Sequence, residues 1–505
     1  MKHWYWYWIL LLFFDVSIQS NPNIILFLTD DQDLILDGMR PLTFVNKFFE
    51  TRGSIFTNSY TASPLCCPSR ASILTGLYVH NHNVVNNSRE GQCSGTEWRA
   101  TIEKRHTYPL YLKRKGYDTF YMGKYLNEYG VHNEKDSERY YIPDGWTNWF
   151  ALAGNSRYYN YTISNNGKPR DYKDNYEKDY LPNVLKKKAI TYIKKRFSSE
   201  EKPENGFIMT IGLPSPHEPW DYAPQYKNKF LKKSVPKFAS FNNITTNPRK
   251  HWIVRQAMNI LSNKTVVLID EIFRKRWRTL LTVDNIFSAV VKACNESDIL
   301  DSTYFIFTSD NGYHLGQFGL PYDKRQPYEF DIKIPLMISG PGVTQTEIHK
   351  IVSNIDLAPT MLEMANIEYE KDKFDGVSLL SLARANKPPK RNSILIEHSG
   401  EYKPKPIHGC PQYGNNSKGL SMCDIDCVCQ ESPNNAYTCI RTISNEKDDI
   451  YCDFYKENLA ESYDLIKDPF QLNNLANPKT SHNLQQIKFI NKFKRCHGIR
   501  CHKFS

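Results

Sequence analysis

The chain has 505 residues, 40% apolar and 13% aromatic, which suits one large packed domain or a large one beside a small one and excludes a disordered chain. Lys and Arg outnumber Asp and Glu by 65 to 54, a net charge of +11 that fits a basic surface or a polyanionic partner. The excess is spread along the chain, as in Lys186 to Lys188 and Lys194 to Arg196, and no nucleic-acid-binding motif accompanies it, so nucleic acid is excluded as that partner.

In chain order, residues 1–20 come first: Lys2 and His3, an apolar run from Trp4 to Phe14, then small and polar residues. That is the pattern of a secretory signal peptide, too short to span a bilayer, and no later apolar run is long enough for a membrane helix. Residues 23–28 read as a buried parallel strand ending in Thr29-Asp30-Asp31. Pro68 stands where a helix begins, and residues 69–77 continue it. A helical pattern covers 184–197, a strand 207–213, a second helix 270–294, and a strand 303–308 that ends in Ser309-Asp310-Asn311. A short helix is expected over 359–367. Strands alternating with helices predict an α/β domain with a mostly parallel sheet, whose ligands gather at the carboxyl ends of the strands. After about Asp375 turn residues become frequent, and eight of the 12 cysteines lie from Cys410 to Cys501. In an oxidising compartment this reads as a disulfide-stapled region. Cys423, Cys427 and Cys429 match no standard zinc spacing. The expected division is signal peptide 1–20, catalytic domain 21–374 and a smaller disulfide-rich subdomain 375–505. Six N-x-S/T sequons, at Asn86, Asn160, Asn243, Asn263, Asn295 and Asn415, are candidate glycosylation sites.

Two constellations carry chemistry. In Cys66-Cys67-Pro68-Ser69-Arg70, Cys66 lies at the mouth of a helix, facing orphan amides and the positive end of the dipole, and Arg70 reaches the same face with a planar fork for an oxyanion. For a cysteine pair in a secreted chain the competing reading is a structural disulfide. The second set is oxygen-rich: Asp30, Asp31, Asp310 and Asn311 at strand ends suit a hard cation, Ca²⁺ or Mg²⁺, and not zinc.

The string from Cys66 through Leu74-Thr75-Gly76 resembles the signature of the sulfatase family at every defining position. The resemblance implies an alkaline-phosphatase-like α/β fold with a mostly parallel central sheet flanked by helices and a smaller C-terminal α+β subdomain. It implies that formylglycine-generating enzyme oxidises Cys66 to formylglycine, an aldehyde, and that Asp30, Asp31, Asp310 and Asn311, completed by the Cys66-derived group, hold one Ca²⁺. Arg70 counts among the implied catalytic residues. Lys124 in Gly123-Lys124-Tyr125, His217 in Ser215-Pro216-His217-Glu218-Pro219-Trp220 and Lys324 in Asp323-Lys324-Arg325 match the family's sulfate-binding residues, with His217 or Lys324 as general acid and His314 as a further substrate contact. Many sulfatases place a histidine two residues after the first lysine; here Leu126 stands there, followed by Asn127.

The segment 123–130, with strings at 28–33, 80–87 and 273–277, is similar to a narrower group of sulfatases that act on 6-O-sulfated glucosamine residues. That implies a sulfuric ester hydrolase removing 6-O-sulfate from N-acetylglucosamine of heparan and keratan sulfate, a sulfated glycan as the polyanionic partner, and a lysosomal destination, with secretion as the alternative. The long basic insertion of the extracellular heparan endosulfatases is missing from the sequence. A phosphatase of the related group would use Ser or Thr and a histidine-rich two-zinc site. A catalytically inactive glycan-binding homologue would be free to lose Cys66, Arg70 or a metal ligand; all are present.

Overall fold

The computed structural model describes residues 21–131, 138–199, 203–257, 259–385, 391–401, 428, 430–477 and 481–503. The expected signal peptide, Asn415 and Cys410, Cys423, Cys427 and Cys429 lie outside the described residues. A ten-stranded mixed sheet forms the centre. Its middle is five adjacent parallel strands in the order Thr303–Ser309, Asn23–Thr29, Phe207–Gly212, Asp118–Lys124 and Asn148–Leu152. The expected strands 23–28, 207–213 and 303–308 are three of these. Every residue of Asn23–Thr29 is buried, because parallel strands are covered on both faces and read as unbroken apolar runs.

Alternation sends Ile25 and Phe27 to one face and Ile24, Leu26 and Leu28 to the other. The first face is covered by the helices Leu181–Arg196 and Asn263–Glu296, where Phe287 packs 4.8 Å from the Phe27 ring. The second helix is N-capped by Ser262, which accepts from the Thr265 amide, and it starts seven residues before the expected 270. The opposite face is covered by the helix Cys66–Thr75 and by Leu357–Met364, the observed form of the expected 359–367 helix. Gly76, at φ +71, closes Cys66–Thr75 as a left-handed cap that suits glycine.

A four-stranded antiparallel sheet follows: Ser393–His398, Tyr437–Ile443, Asp448–Phe454 and Leu459–Asp464. Cys439 and Cys452 are bonded across its middle strands, and Cys496 to Cys501 beyond it. Among the described residues no helix is long and apolar enough to cross a membrane.

His80, on the short helix Val79–His82, is held against the small sheet. Its Nδ1 lies 2.9 Å from Glu397 Oε2 and its Nε2 3.0 Å from the Cys496 carbonyl, so both nitrogens face acceptors and the ring is held as imidazolium. Burial opposes that charge, but Glu397 outweighs it and the His80 pKa rises to about 9. A histidine raised in the folded state stabilises fully below its unfolded pKa of about 6.5 and loses that contribution as pH climbs through the folded value. We therefore expect Glu397→Gln to cost on the order of 1–3 kcal/mol at pH 6 and much less at pH 10. Urea unfolding of both proteins at the two pH values checks this; a pH-independent difference would contradict it.

Candidate active site

Four neighbouring parallel strands deliver their carboxyl ends to one edge of the sheet, and the candidate residues stand there. Asp30 and Asp31 follow Asn23–Thr29, Asp310 and Asn311 follow Thr303–Ser309, Lys124 ends Asp118–Lys124, and His217 lies five residues past Phe207–Gly212. Two of these positions need special backbone. Asp31 takes φ +63, a conformation that costs a non-glycine residue free energy. Gly123, at φ +88, faces Gly212, and a Cβ there would lie 1.9 Å from the Gly212 carbonyl oxygen, so only glycine can turn the strand end that presents Lys124.

Cys66 is the first residue of its helix, two residues earlier than Pro68 suggests. The disulfide reading holds for its neighbour: Cys67 is bonded to Cys93, while the Cys66 thiol is free, fully buried, and 3.5 Å from Asp30 Oδ1 and 3.8 Å from Asp31 Oδ1. Burial pushes this thiol up, so an unmodified Cys66 is a poor thiolate nucleophile. One ligand atom each of Asp30, Asp31, Cys66 and His217 lie within 4.8 Å of one another.

The carboxylates are surrounded by cations. Lys124 Nζ donates to Asp30 Oδ2 at 2.6 Å and Lys324 Nζ to Asp31 Oδ2 at 2.6 Å. Arg70 donates from Nε to Asp310 Oδ2 at 2.8 Å and from Nη1 to the Lys124 carbonyl at 2.8 Å; its buried Nη2 has no hydrogen-bond partner. Burial would raise the Asp30 carboxyl, but Lys124, His217, Arg70 and Lys324 hold it well below the usual range. Asp31 is lowered in the same way by Lys324 and His217. Burial and the charge of Asp30 instead push Asp310 up to about 7, in spite of Arg70. His217 donates from Nδ1 to the Glu218 carbonyl at 2.6 Å, leaving Nε2 toward Asp31 Oδ2 at 3.7 Å; burial drives its pKa down to about 4.

The expected metal set is arranged a little differently. Asp310 accepts from the Asp31 and Asn311 amides at 3.0 and 2.9 Å as well as from Arg70. Asn311 Nδ2 donates to Asp31 Oδ1 at 2.8 Å, and Asn311 Oδ1 is buried with no partner. His314 is not brought to the surface of the site. It is 0% exposed, with Nδ1 3.0 Å from Asp331 and Nε2 2.9 Å from Gln430, so a substrate contact would require breaking one of these bonds. Leu126 is buried in the core, and Asn127 lines the cavity above the cluster. Of the described sequons, Asn160, Asn263 and Asn295 are exposed, Asn243 is half-buried, and Asn86 is buried against the same cavity.

Two supporting residues escaped the sequence reading. Ser156 donates to Asp30 Oδ2. Arg276 donates to the Asp31 carbonyl at 2.7 Å and to Asp33 at 2.5 Å. Arg276 has a local signal: it lies on the buried stripe Phe273, Arg276, Leu280, Val283, where an arginine needs a partner.

The sulfatase family model matches residues 22–367. Human N-acetylglucosamine-6-sulfatase is 44% identical over 485 residues, covering 95% of this chain and 86% of the relative. A putative extracellular sulfatase Sulf-1 homolog of Caenorhabditis elegans is 39% identical over 400 residues, 77% of this chain but 54% of the relative. Among solved structures, a complex with its substrate D-glucosamine-2-N,6-O-disulfate superposes with a TM-score of 0.71 at 21% identity over 96% of this chain and 98% of the other. A phosphonate monoester hydrolase of Agrobacterium radiobacter superposes with a TM-score of 0.66 at 18% identity, over 94% of each chain, so the fold itself does not choose between sulfur and phosphorus esters. The signature around Cys66 and the match over 22–367 make that choice: the chain belongs to the sulfatase family.

Proposed function

We propose that the chain removes the 6-O-sulfate from N-acetylglucosamine residues of heparan and keratan sulfate, in the lysosome after passage through the secretory pathway. In this reading residues 21–374 are the catalytic domain and 375–505 the smaller subdomain. The observation that carries it is a free, buried thiol at a helix mouth, facing two carboxylates and ringed by Arg70, Lys124 and Lys324, in a chain 44% identical over 95% of its length to N-acetylglucosamine-6-sulfatase.

Asp30, Asp31, Asp310 and Asn311 fit a hard divalent cation: all can offer oxygen, all are buried, Asn311 Oδ1 lacks a partner, and Asp310 is under-neutralised. We assign Ca²⁺, one per chain, with position 66 completing its shell; bound there it would withdraw charge from the nucleophile and from the sulfate oxygens. As formylglycine, made by formylglycine-generating enzyme, position 66 would supply a geminal diol, one hydroxyl to attack sulfur and one whose deprotonation lets sulfate leave and the aldehyde return.

The residues around it have separate tasks. Arg70 Nη2, which makes no hydrogen bond and lies 3.7 Å from Asp30 Oδ1, binds a sulfuryl oxygen, and Lys124 and Lys324 balance the charge that grows on the others. Ser156 holds the Asp30 carboxylate in place and Arg276 the Asp31 carbonyl. The Lys324 ammonium beside Asp31, or His217 once the charge of a bound sulfate restores the proton that burial drives from its Nε2, protonates the departing sugar oxygen.

Peptide mass mapping of active, matured protein is expected to find an aldehyde at position 66; an unconverted or bridged sulfur there overturns the reading. At acidic pH the protein is expected to desulfate 6-O-sulfated N-acetylglucosamine termini, and Cys66→Ala to lose at least about 10³-fold in kcat. Release of sulfate only from N-sulfated or 2-O-sulfated sugars would contradict the substrate. Arg70→Ala strands Asp310 without its buried partner and is expected to cost about 3–5 kcal/mol in urea unfolding, a loss independent of turnover. Chelation is expected to lower both activity and melting temperature, with Ca²⁺ restoring both.

A further inference from the structure

At the opposite edge of the sheet from the carboxylate cluster opens a cavity of about 520 Å³, larger than the about 320 Å³ above the cluster. It sits between the carboxyl-terminal half of the helix Leu181–Arg196 and the amino ends of Asp118–Lys124 and Asn148–Leu152. The length of a strand, about 20 Å, therefore separates it from Lys124. Lys188, Tyr192, Lys195 and Arg196 share the helix face that forms one wall, and Phe120 brings its ring 5.0 Å from that of Tyr192 on the other. Asp118 is the one carboxylate among the described lining residues, and its charge is already matched: it accepts from Tyr192 Oη at 2.6 Å, Arg196 Nη1 at 3.0 Å and Asn148 Nδ2 at 2.9 Å. Arg196 turns its Nη2 to the Asn205 carbonyl at 2.8 Å. Lys188 and Lys195 have no such match. Lys194 beside them pairs with Glu296 at 2.9 Å, but no carboxylate among the described residues pairs with either of these two. Lys188 is half-buried, with Nζ 4.9 Å from the centre of the Phe150 ring, and burial and the nearby charge of Arg170 lower its pKa. A cation kept partly from water beside another cation lacks its anion.

We propose that this cavity is a second, non-catalytic binding site that holds an interior stretch of a sulfated glycan chain, away from the sugar that is cleaved. The two unmatched ammonium groups spring from points seven residues apart on one helix, about 10 Å. That spacing suits a ligand with several anionic groups strung along an extended chain better than one small tetrahedral anion. Between the cations, ring faces and the amide of Asn165 offer a sugar both an apolar surface and hydrogen bonds. A chain tethered here is kept near the protein while its end finds the catalytic cluster, so the site acts by raising the local concentration of chain ends and not by touching the reacting ester. The inference rests on the sulfatase reading above for the identity of the polyanion; the residues that form the site take no part in that reading.

The test is calorimetric binding of a long N- and 2-O-sulfated oligosaccharide that carries no 6-O-sulfate, and so no ester for the proposed reaction, to the full-length matured protein at low salt. Lys188→Gln with Lys195→Gln is expected to weaken that binding at least about fivefold. Lys187→Gln with Lys194→Gln removes the same charge from the same helix outside the cavity and is expected to leave it within about twofold. Lys195→Glu alone, at an exposed position, is expected to weaken binding while Lys188 keeps its place over the Phe150 ring, which guards against a loss of fold. In turnover, the Lys188 and Lys195 pair of changes is expected to raise KM for a long 6-O-sulfated chain at least about fivefold with kcat unchanged, and to alter neither constant for a 6-O-sulfated disaccharide. Equal weakening by the two pairs of changes, equal occupancy of the site by inorganic sulfate at matched ionic strength, or KM for long and short substrates moving together overturns the proposal while leaving the hydrolase intact. Binding that depends on Lys188 and Lys195 in a matured protein that releases no sulfate upholds the site and defeats the hydrolase reading instead.

Discussion

Asp30, Asp31 and Asp310 bring three carboxyl groups into a space with almost no access to water, and the structure around them is organised by the need to balance that charge. Arg70, Lys124 and Lys324 reach them from three separate parts of the chain. The balance is incomplete: Asp30 and Asp31 are held as carboxylates, whereas Asp310 rises to about 7 and Asn311 Oδ1 has no donor. A surplus of buried oxygen and negative charge at the end of a rigid sheet suits a hard cation, which is the ground for the metal site proposed above.

The small C-terminal sheet takes part in this arrangement. Gln326, two residues past Lys324, accepts through Oε1 from His251 Nε2 at 2.8 Å, and His251 Nδ1 lies 2.9 Å from Glu461 in the last strand of that sheet. From the other amide group of Gln326 the chain of bonds continues to Gln430 at 2.7 Å and on to His314 and Asp331. Lys324 and Arg325 therefore stand on a segment gripped from behind by a continuous buried network, and Arg325 holds φ +88 within it. Such a network is worth having only when every member is satisfied, because each unpaired group would carry its full desolvation cost. His314 belongs to this support, which explains its burial better than contact with substrate does.

The cavity above the cluster is lined by the carboxylates of Glu128, Glu218, Asp323, Glu401 and Glu431. A protein with a net charge of +11 thus carries an acidic collar around this opening, and the overall charge says nothing about that local reversal.

The amino-acid sequence by itself determined the elements whose signal is local. The unbroken apolar runs that became Asn23–Thr29, Phe207–Gly212 and Thr303–Ser309 could be read because a strand covered on both faces needs no polar alternation. The helices at 184–197 and 270–294 were legible from periodicity, and Pro68 marked the helix behind Cys66 to within a turn. Asp118–Lys124 was not legible: its polar start, Gly123 and terminal lysine look like a loop until Gly212 is seen to receive Gly123 across the sheet. The signature singled out Cys66, but only the tertiary structure supplied the disulfide partner of Cys67, because Cys93 lies 26 residues away and pairing depends on where the chain returns. Only it turned His314 inward, seated Arg276 beneath Asp31, and gathered Glu401 and Glu431 around Arg325. Those contacts join residues 17 to 245 positions apart, and a local pattern carries no information about partners brought together by folding at such distances.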